Sequence, residues 1–515
     1  MILLNDRARP GILYPERMTR LTPGDDVVRD RQDRGFFGQP RSLANVFGVE
    51  MWERFSFYGM QGILLIYLFY PSSSDPTQDG LGLPQATAAG IVGAYGGAVY
   101  LATIVGAWLA DRLLGPERML LSSACCVMLG HIALSALPGL WGVAVGLVLI
   151  ALGSGGVKSN ATAIVGTLYR AEDPRRDAGF SLYYLGINLG GLIGPLLTGL
   201  LQSTAGFRWG FGVAALGMAV GLTQYVLTRR RLPQLAREVP SPLPRRLHWL
   251  VGAGAALLVV LVAAGILTGM IRADDLSAVV IAVTATAAVA YFVVILSSRR
   301  ITPAERSRVV AFIPLFLASV AFWSLYQQQF TVLTLYADSQ LNRDVLGWQI
   351  PVSWVQSINP VFIVILSGVF TWLWTRLGAR APAAPAKFGL ATIVMGAAFL
   401  LFIPWSQNTE SSTPFLVIVM ILFVFTIAEL LLSPVGLSVT TKLAPTVFRT
   451  QMVALFMLSI ALGTAITGWL SQFYPRDPGA AETRYFLVLG IAAIIVGAIL
   501  LACAKPVLRL MRGVR

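Results

Sequence analysis

Fourteen apolar runs, each about as long as a helix needs to cross a hydrocarbon core of about 30 Å, constrain what this chain can fold into. They read as Ala44–Tyr70, Pro84–Ala110, Arg118–Leu137, Leu140–Leu168, Gly179–Leu201, Trp209–Leu227, Leu247–Ile271 and Ser277–Leu296, followed by Val309–Tyr336, Ser353–Trp374, Phe388–Pro404, Phe415–Val439, Ala454–Phe473 and Tyr485–Cys503. Barrel strands would alternate over about ten residues and do not fit such runs. The expected fold class is therefore an all-α integral membrane protein with 14 transmembrane helices. Its composition agrees, with 56% hydrophobic and 12% charged residues and a mean hydropathy of +0.70.

The formal charge of +14 raises the question of a nucleic-acid partner. Its distribution answers no. With both termini cytoplasmic, the cytoplasmic segments carry 32 of the 39 Lys and Arg residues. The opposite side carries only Arg208, Arg272, Arg343, Arg476 and Arg484, and Arg54 and Lys158 lie within spans. The basic balance is a topology signal for a multi-pass protein in a lipid bilayer, with attraction to anionic lipid as a consequence. Residues 1–42 are polar and Arg-rich, lack the apolar core of a secretory signal, and read as a retained cytoplasmic tail. Cys125, Cys126 and Cys503 fall in or at the end of spans, which supports neither a disulfide framework nor a zinc site. His131 stands alone and reads as a packing residue. No Ser/His/Asp set, metal-ligand cluster or phosphate loop lies within the spans, so an enzyme is not expected.

Two groups of six spans flank a central pair bracketed by Pro- and Arg-rich segments, 229–248 and 297–308. The chain divides accordingly into a tail (1–42), a first six-helix bundle (43–228), basic linkers with an inserted two-helix hairpin (229–308), a second six-helix bundle (309–504) and a short cytoplasmic tail (505–515). Six-span halves with substrate between them are a recurrent carrier plan. The inserted pair reads as a lipid-facing accessory.

Charges at membrane depth cost about 2.5–3.5 kcal/mol each on insertion scales and face a cavity or a partner. The spans hold five: Glu50, Glu53, Arg54, Lys158 and Glu429. Three acids against two bases leave one carboxylate without a fixed countercharge, and a proton can neutralise it. Glu50, Glu53 and Arg54 share a helix face by their i,i+3 and i,i+4 spacing, which Tyr58 and Gln61 extend. One Arg pairs optimally with one carboxylate, so the other is expected to titrate near neutrality. A purely structural lock is the competing reading. Lys158, in GSGGVKSNATAIVG, and Glu429, in IAELLLSPVGL, are candidates for a gate pair across the two bundles. Tyr184 and Asn188, Gln356 and Asn359, and Gln327 to Gln329 add a polar lining.

The segment GAWLADRLLG, with Asp111 and Arg112, resembles the loop motif of the major facilitator superfamily. EMWERF (Glu50, Glu53, Arg54, Phe55), SLYYLGINLGG, GGVKSN, Asn359–Pro360 and ELLLSP together resemble the proton-dependent oligopeptide transporter family within it. That resemblance runs from residue 43 to 474 and implies the major facilitator fold, two six-helix bundles plus the two inserted helices of bacterial members. It also implies residence in a bacterial cytoplasmic (inner) membrane and symport of di- and tripeptides with protons by alternating access. No cofactor beyond a proton gradient and no metal is implied, and the expected state is a monomer. Carried over, Glu50, Glu53 and Arg54 couple protonation to binding of the peptide carboxylate, and Lys158 attracts the peptide C-terminus. Glu429 and Asn359 meet the amino terminus, while Tyr58, Tyr100, Asn188 and Ser433 line the site.

Two positions depart from the family pattern. Gln61 stands where an Arg is usual and Gln327 where an acid is usual, so the family's gate ion pair becomes an expected neutral Gln–Gln contact. Joint loss strands no charge, whereas loss of one partner would. Phe57 and Phe456 replace a Tyr and a Trp. A same-fold carrier of a peptide-like metabolite or drug, working outward, and a non-transporting receptor or scaffold are the alternatives that sequence leaves open.

Overall fold

The computed structural model describes residues 33–169, 173–269, 272–345, 347–406, 412–477 and 479–514. The Arg-rich tail up to residue 32 lies outside the described residues. Among those described, 13 helices are long and apolar enough to cross a membrane. The helix opening the first bundle, α1 (Arg41–Phe69), is 29 residues long but carries three charges in its middle, and with it the passes number fourteen. An even number returns the chain to the face where it began, here called the terminal face; the other is the distal face.

The first bundle continues with α2 (Gln85–Leu109), α3 (Pro116–Ala136), α4 (Gly139–Thr167), α5 (Arg176–Ala205) and α6 (Phe207–Thr228). Prolines 40, 84 and 138 precede α1, α2 and α4, where their fixed φ and missing N–H cost the helix nothing. Small residues then let the helices close on one another, as lipid supplies no hydrophobic drive for association. Thr198 on α5 donates its hydroxyl to the carbonyl of Gly59 on α1 at 2.8 Å. A Cβ on Gly59 would come within 3.1 Å of the Gly194 carbonyl.

After the basic linker come α7 (His248–Leu267) and α8 (Leu276–Ser297). The described side chains of α7 face outward, with Leu257 and Leu261 about 60% exposed, as expected of a lipid-facing helix. In contrast, α8 lies across the seam between the bundles. Ser277 donates to the Gly90 carbonyl of α2 at 2.8 Å, the Thr87 hydroxyl bonds Asp274, and Ser277 also sits against Gly468 of the second bundle. The hairpin is thus more than the accessory its bland apolar sequence suggests.

The second bundle comprises α9 (Pro303–Tyr326) with its continuation α10 (Val332–Ser339), α11 (Ile358–Leu377), α12 (Ala384–Leu400), α13 (Phe415–Leu443), α14 (Arg449–Ser471) and α15 (Ala480–Ala502), followed by α16 (Ala504–Leu510). Thr302 and Glu305 form a reciprocal capping box at the start of α9, with Pro303 at the first helical position. The span expected to be continuous over Val309–Tyr336 is broken by a 3₁₀ turn, Gln327–Phe330, after which Thr331 leaves helical geometry at φ −125°, ψ −87°. A two-stranded hairpin, β1 (Asp344–Val345) with β2 (Trp348–Gln349), follows on the distal face.

The bundles meet in their middle and distal portions. A Cβ on Gly93 of α2 would overlap the backbone of Gly468 on α14. Ser353, Trp354 and Ser357, leading into α11, donate to the carbonyls of Pro195, Leu196 and Leu192 on α5 at 2.8, 2.9 and 2.8 Å. At the distal face Tyr70 donates to Asp338 at 2.6 Å, and Arg343 approaches the same carboxylate at 3.7 Å. This geometry closes the distal side of the seam.

Two buried acids join the five charges expected from sequence. Glu117, 1% exposed at the start of α3, is held by Arg229 at 2.8 Å, and Glu482, fully buried, stands in the first turn of α15. His131 is also fully buried, with neither ring nitrogen partnered.

Candidate functional site

On α1 the i,i+4 spacing brings Arg54 Nε to 2.9 Å from Glu50 Oε1, and the same nitrogen lies 3.1 Å from Glu53 Oε2. All three side chains are at most 1% exposed. One guanidinium therefore serves two carboxylates. Ser154 on α4 adds a 2.6 Å hydrogen bond to Glu53 Oε1, while Glu50 faces the buried Tyr183 of α5. Glu50 Oε2 and one Arg54 terminal nitrogen have no hydrogen-bond partner. A buried network with unsatisfied atoms and a surplus acid can accommodate a proton, because a carboxylate only accepts hydrogen bonds until it is protonated.

Lys158, also on α4, is half-buried and places its ammonium 3.9 Å from the centre of the Tyr100 ring. Ring quadrupole and cation attract each other there, and the acids of α1 lie within electrostatic reach. In the second bundle, Glu429 accepts a hydrogen bond from the Tyr326 hydroxyl at 2.8 Å and from Asn359 Nδ2 at 3.3 Å. Asn359 also donates to Thr426 at 3.0 Å, which fixes its amide. Tyr58 lies within electrostatic reach of both Glu53 and Glu429, and its ring stacks on Phe330 at 6.0 Å. Half-buried Tyr58, Tyr100, Lys158, Asn188, Glu429 and Ser433 are the accessible members of this group, and Arg54 with its two acids forms the sealed floor.

Several expectations meet a different arrangement. Lys158 and Glu429 form no ion pair: Lys158 is over Tyr100, and Glu429 is engaged by Tyr326 and Asn359. The two charges stand on opposite bundles, each held by neutral groups. Nor do Gln61 and Gln327 bond one another. Gln61 is buried with its carbonyl oxygen unpartnered, and Gln327 turns toward Tyr100. Asn188 donates to the Tyr184 carbonyl of its own helix at 2.9 Å. At the loop motif, Asp111 and Arg112 are bonded to the linker. The Asp111 carbonyl accepts from Ser241 N–H at 2.9 Å, and Leu243 N–H donates to the Arg112 carbonyl at 2.9 Å. Gly115, which ends this motif, has φ +79° and packs against the Arg237 carbonyl, a place for glycine alone.

The geometry adds Tyr326, Phe330 and Tyr183 to the site, and moves Ser154 from a neighbour of Lys158 to a ligand of Glu53. Among the described residues, no group of His, Cys, Asp and Glu could hold a metal ion.

Residues 117–485 match the family model described as POT family. The chain belongs to the POT family. It is 39% identical over 504 residues to a di-/tripeptide transporter of Lactococcus lactis, a match covering 94% of this chain and 99% of that protein. A crystal structure of a glutamate-to-glutamine variant of peptide transporter POT in complex with alafosfalin is 40% identical. It covers 96% of this chain and all of that one, with a TM-score of 0.88. A POT family transporter solved with 5-aminolevulinic acid is 34% identical, with a TM-score of 0.86 over 92% of this chain and 98% of its own. These relatives are transporters, and the fold class and family that the motifs imply are those of this protein.

Proposed function

We propose that this POT family member is a secondary active transporter that moves di- and tripeptides with protons by alternating access. One observation carries the reading: a base, Lys158, and an acid, Glu429, sit on opposite bundles facing common aromatic groups, and each is held by neutral partners only. A zwitterionic peptide offers the complementary pair of charges, with its carboxylate toward Lys158 and its ammonium toward Glu429 and Asn359. Ligand binding then draws the halves together, where a direct Lys–Glu bridge would compete with it. The carboxylate approaching Lys158 also enters the field of the Arg54 cluster, so protonation of Glu50 or Glu53 and peptide binding favour each other through charge. Ser433 and Asn188 complete the lining.

Residues 43–228 and 309–504 act as the two moving bodies, and 229–308 connect them. The excess of Lys and Arg at the terminal face supports a cytoplasmic orientation of that face in a bacterial inner membrane. With the distal seam closed, the structure then represents a state that faces inward. A monomer contains every residue of this site.

The test is accumulation of labelled dialanine in proteoliposomes under an imposed proton gradient. Uptake that requires the gradient and disappears in Glu53→Gln and Lys158→Ala supports the reading, and equal uptake without a gradient counts against it. A same-fold carrier of a peptide-like metabolite is the second reading. The neutral Gln61 and Gln327 favour it, and 5-aminolevulinic acid in place of dialanine tests it.

A further inference from the structure

Glu482 is a fully buried carboxylate that lies outside the site just described. Its Oε1 atom accepts the Tyr474 hydroxyl and, at 2.6 Å, the side-chain Nε2 of Gln340, which caps α10. The other oxygen, Oε2, has no partner, and neither has Gln340 Oε1. No described Lys or Arg pairs with it. Among the described residues, the titratable groups facing it are tyrosines: Tyr474 before α15 and Tyr336 on α10, with Tyr485 on α15 packed against Tyr474.

An ionised carboxylate here would be a buried charge without a cation, next to a second acceptor without a donor, and both deficits are costly. A carboxylic acid and a primary amide have a better arrangement, a ring of two hydrogen bonds. The amide N–H donates to one carboxyl oxygen, and the carboxyl O–H donates to the amide carbonyl. One half of this ring is present, and the two orphaned oxygens are the atoms needed for the other half. Reversing the amide would instead face its carbonyl against the carboxyl oxygen.

We infer that Glu482 carries a proton on Oε2 and that Glu482 with Gln340 forms a second proton-binding site, separate from the Glu50, Glu53 and Arg54 cluster.

Tyr474, which bonds Glu482, also lines a distal cavity of about 480 Å³ together with Asp338 and Arg476. That cavity thus brings the distal face next to the residue bonded to the proton site. The same helix, α15, holds the other end of the α10 segment, since Tyr485 donates to Gln328 Oε1 at 2.8 Å in the 3₁₀ break. Losing the proton would turn the Glu482–Gln340 ring into a single bond beside an uncompensated charge. That loosens the end of α10 that carries Asp338 and its bond to Tyr70. The site therefore couples proton occupancy to distal closure. This coupling rests on the transport reading, whereas proton binding itself does not.

Infrared difference spectra of the purified full-length protein in lipid, recorded without substrate across a pH titration, test the site. The expected result is a protonated-carboxyl band that persists in Glu53→Gln, disappears in Glu482→Gln and moves in frequency in Gln340→Met, which removes the ring. Thermal stability gives a second readout. A proton bound by the fold contributes stability at low pH that is lost as pH rises through the folded-state titration. Wild type should therefore lose stability toward alkaline pH, and Glu482→Gln, which keeps a neutral paired side chain, should lose less. The absence of any Glu482-dependent carboxyl band throughout the titration, or the same alkaline loss of stability in both proteins, overturns the proposal. Neither readout depends on which substrate is carried.

Discussion

Ser154 on α4 donates its hydroxyl to Glu53 on α1 at 2.6 Å, and neither side chain reaches solvent. That length belongs to charge-assisted hydrogen bonds between a hydroxyl and a carboxylate. Ser154→Ala leaves a buried carboxylate oxygen unpaired, at a cost of about 1–3 kcal/mol to the ionised form and less to the protonated one. The balance moves toward protonated Glu53, so the pH profile of proton-driven uptake should shift to higher pH by roughly 1–2 units. Ser154→Thr, which keeps the hydroxyl, should shift it less. Uptake in proteoliposomes at a series of internal and external pH values checks this. Coincident profiles for wild type and Ser154→Ala would remove Ser154 from proton coupling.

Arg54 is the sole cation bonded to Glu50 and Glu53 among the described residues. Arg54→Met strands two buried carboxylates, and removing one partner of a buried pair typically costs about 3–5 kcal/mol. Adding Glu50→Gln removes one stranded charge and should recover part of the loss. Thermal unfolding of the three proteins in one detergent reads the order directly: wild type highest, the double variant between, Arg54→Met lowest. A single variant as stable as wild type would mean that the acids are already neutral.

How much of this was legible follows from the kind of signal each residue gives. Apolar run length revealed the fourteen passes, and i,i+4 spacing revealed the Glu50–Arg54 bond, because both depend only on local helix geometry. Rotation about a helix axis is set by packing. Tyr183 is the buried neighbour that faces Glu50, whereas the adjacent Tyr184 is about half exposed. The break at Gln327–Phe330 contains neither Gly nor Pro, so no punctuation announces it. Glu482 lies outside the apolar run Tyr485–Cys503 although its helix begins at Ala480, because helix starts are fixed by caps and tertiary contacts more than by hydropathy. Tyr326 gave no signal either: an aromatic residue at a helix end reads as core until its hydroxyl is seen on Glu429.

Tyr326→Phe tests that last contact. It removes the shorter of two hydrogen bonds on Glu429 while retaining the ring, which stacks against Phe322 at 5.8 Å. If Glu429 receives the peptide ammonium, its orientation degrades and affinity should fall by about tenfold, equivalent to about 1.4 kcal/mol. Competition of unlabelled peptide against a labelled one gives the number. The fold should remain intact, with thermal stability within about 1.5 kcal/mol of wild type.

Distal closure depends on Gly93 meeting Gly468 without side chains between them. Gly93→Val places two methyl groups where a backbone already lies, so α2 and α14 must part. The expected outcome is a protein biased toward distal opening, with slowed uptake. A cysteine introduced at Gln356, buried in the closed seam, reports this through an impermeant maleimide in a background lacking Cys125, Cys126 and Cys503. Labelling should be several-fold faster with Gly93→Val than without it, and unchanged labelling would show that the seam tolerates the bulk.

Gln61 and Gln327 distinguish a relocated gate from a missing one. Gln61 is 4% exposed, lies against Gly96, and has no partner for its carbonyl oxygen, while Gln327 turns to Tyr100, whose ring lies under the Lys158 ammonium. Gln61→Arg alone therefore buries a cation with no acid beside it, an arrangement that costs several kcal/mol. Gln327→Glu alone places its acid within reach of a cation, Lys158, and should be tolerated, at the expense of peptide affinity because it competes for that ammonium. In the double variant the two new charges can satisfy each other across the seam, so stability should return toward wild type and the pH dependence of uptake should steepen. Thermal unfolding of all four proteins, combined with uptake across pH, gives the coupling as a double-mutant cycle. Additive losses with no coupling would show that the distal lock of this chain lies elsewhere, and the Tyr70–Asp338–Arg343 contact is the group to examine next.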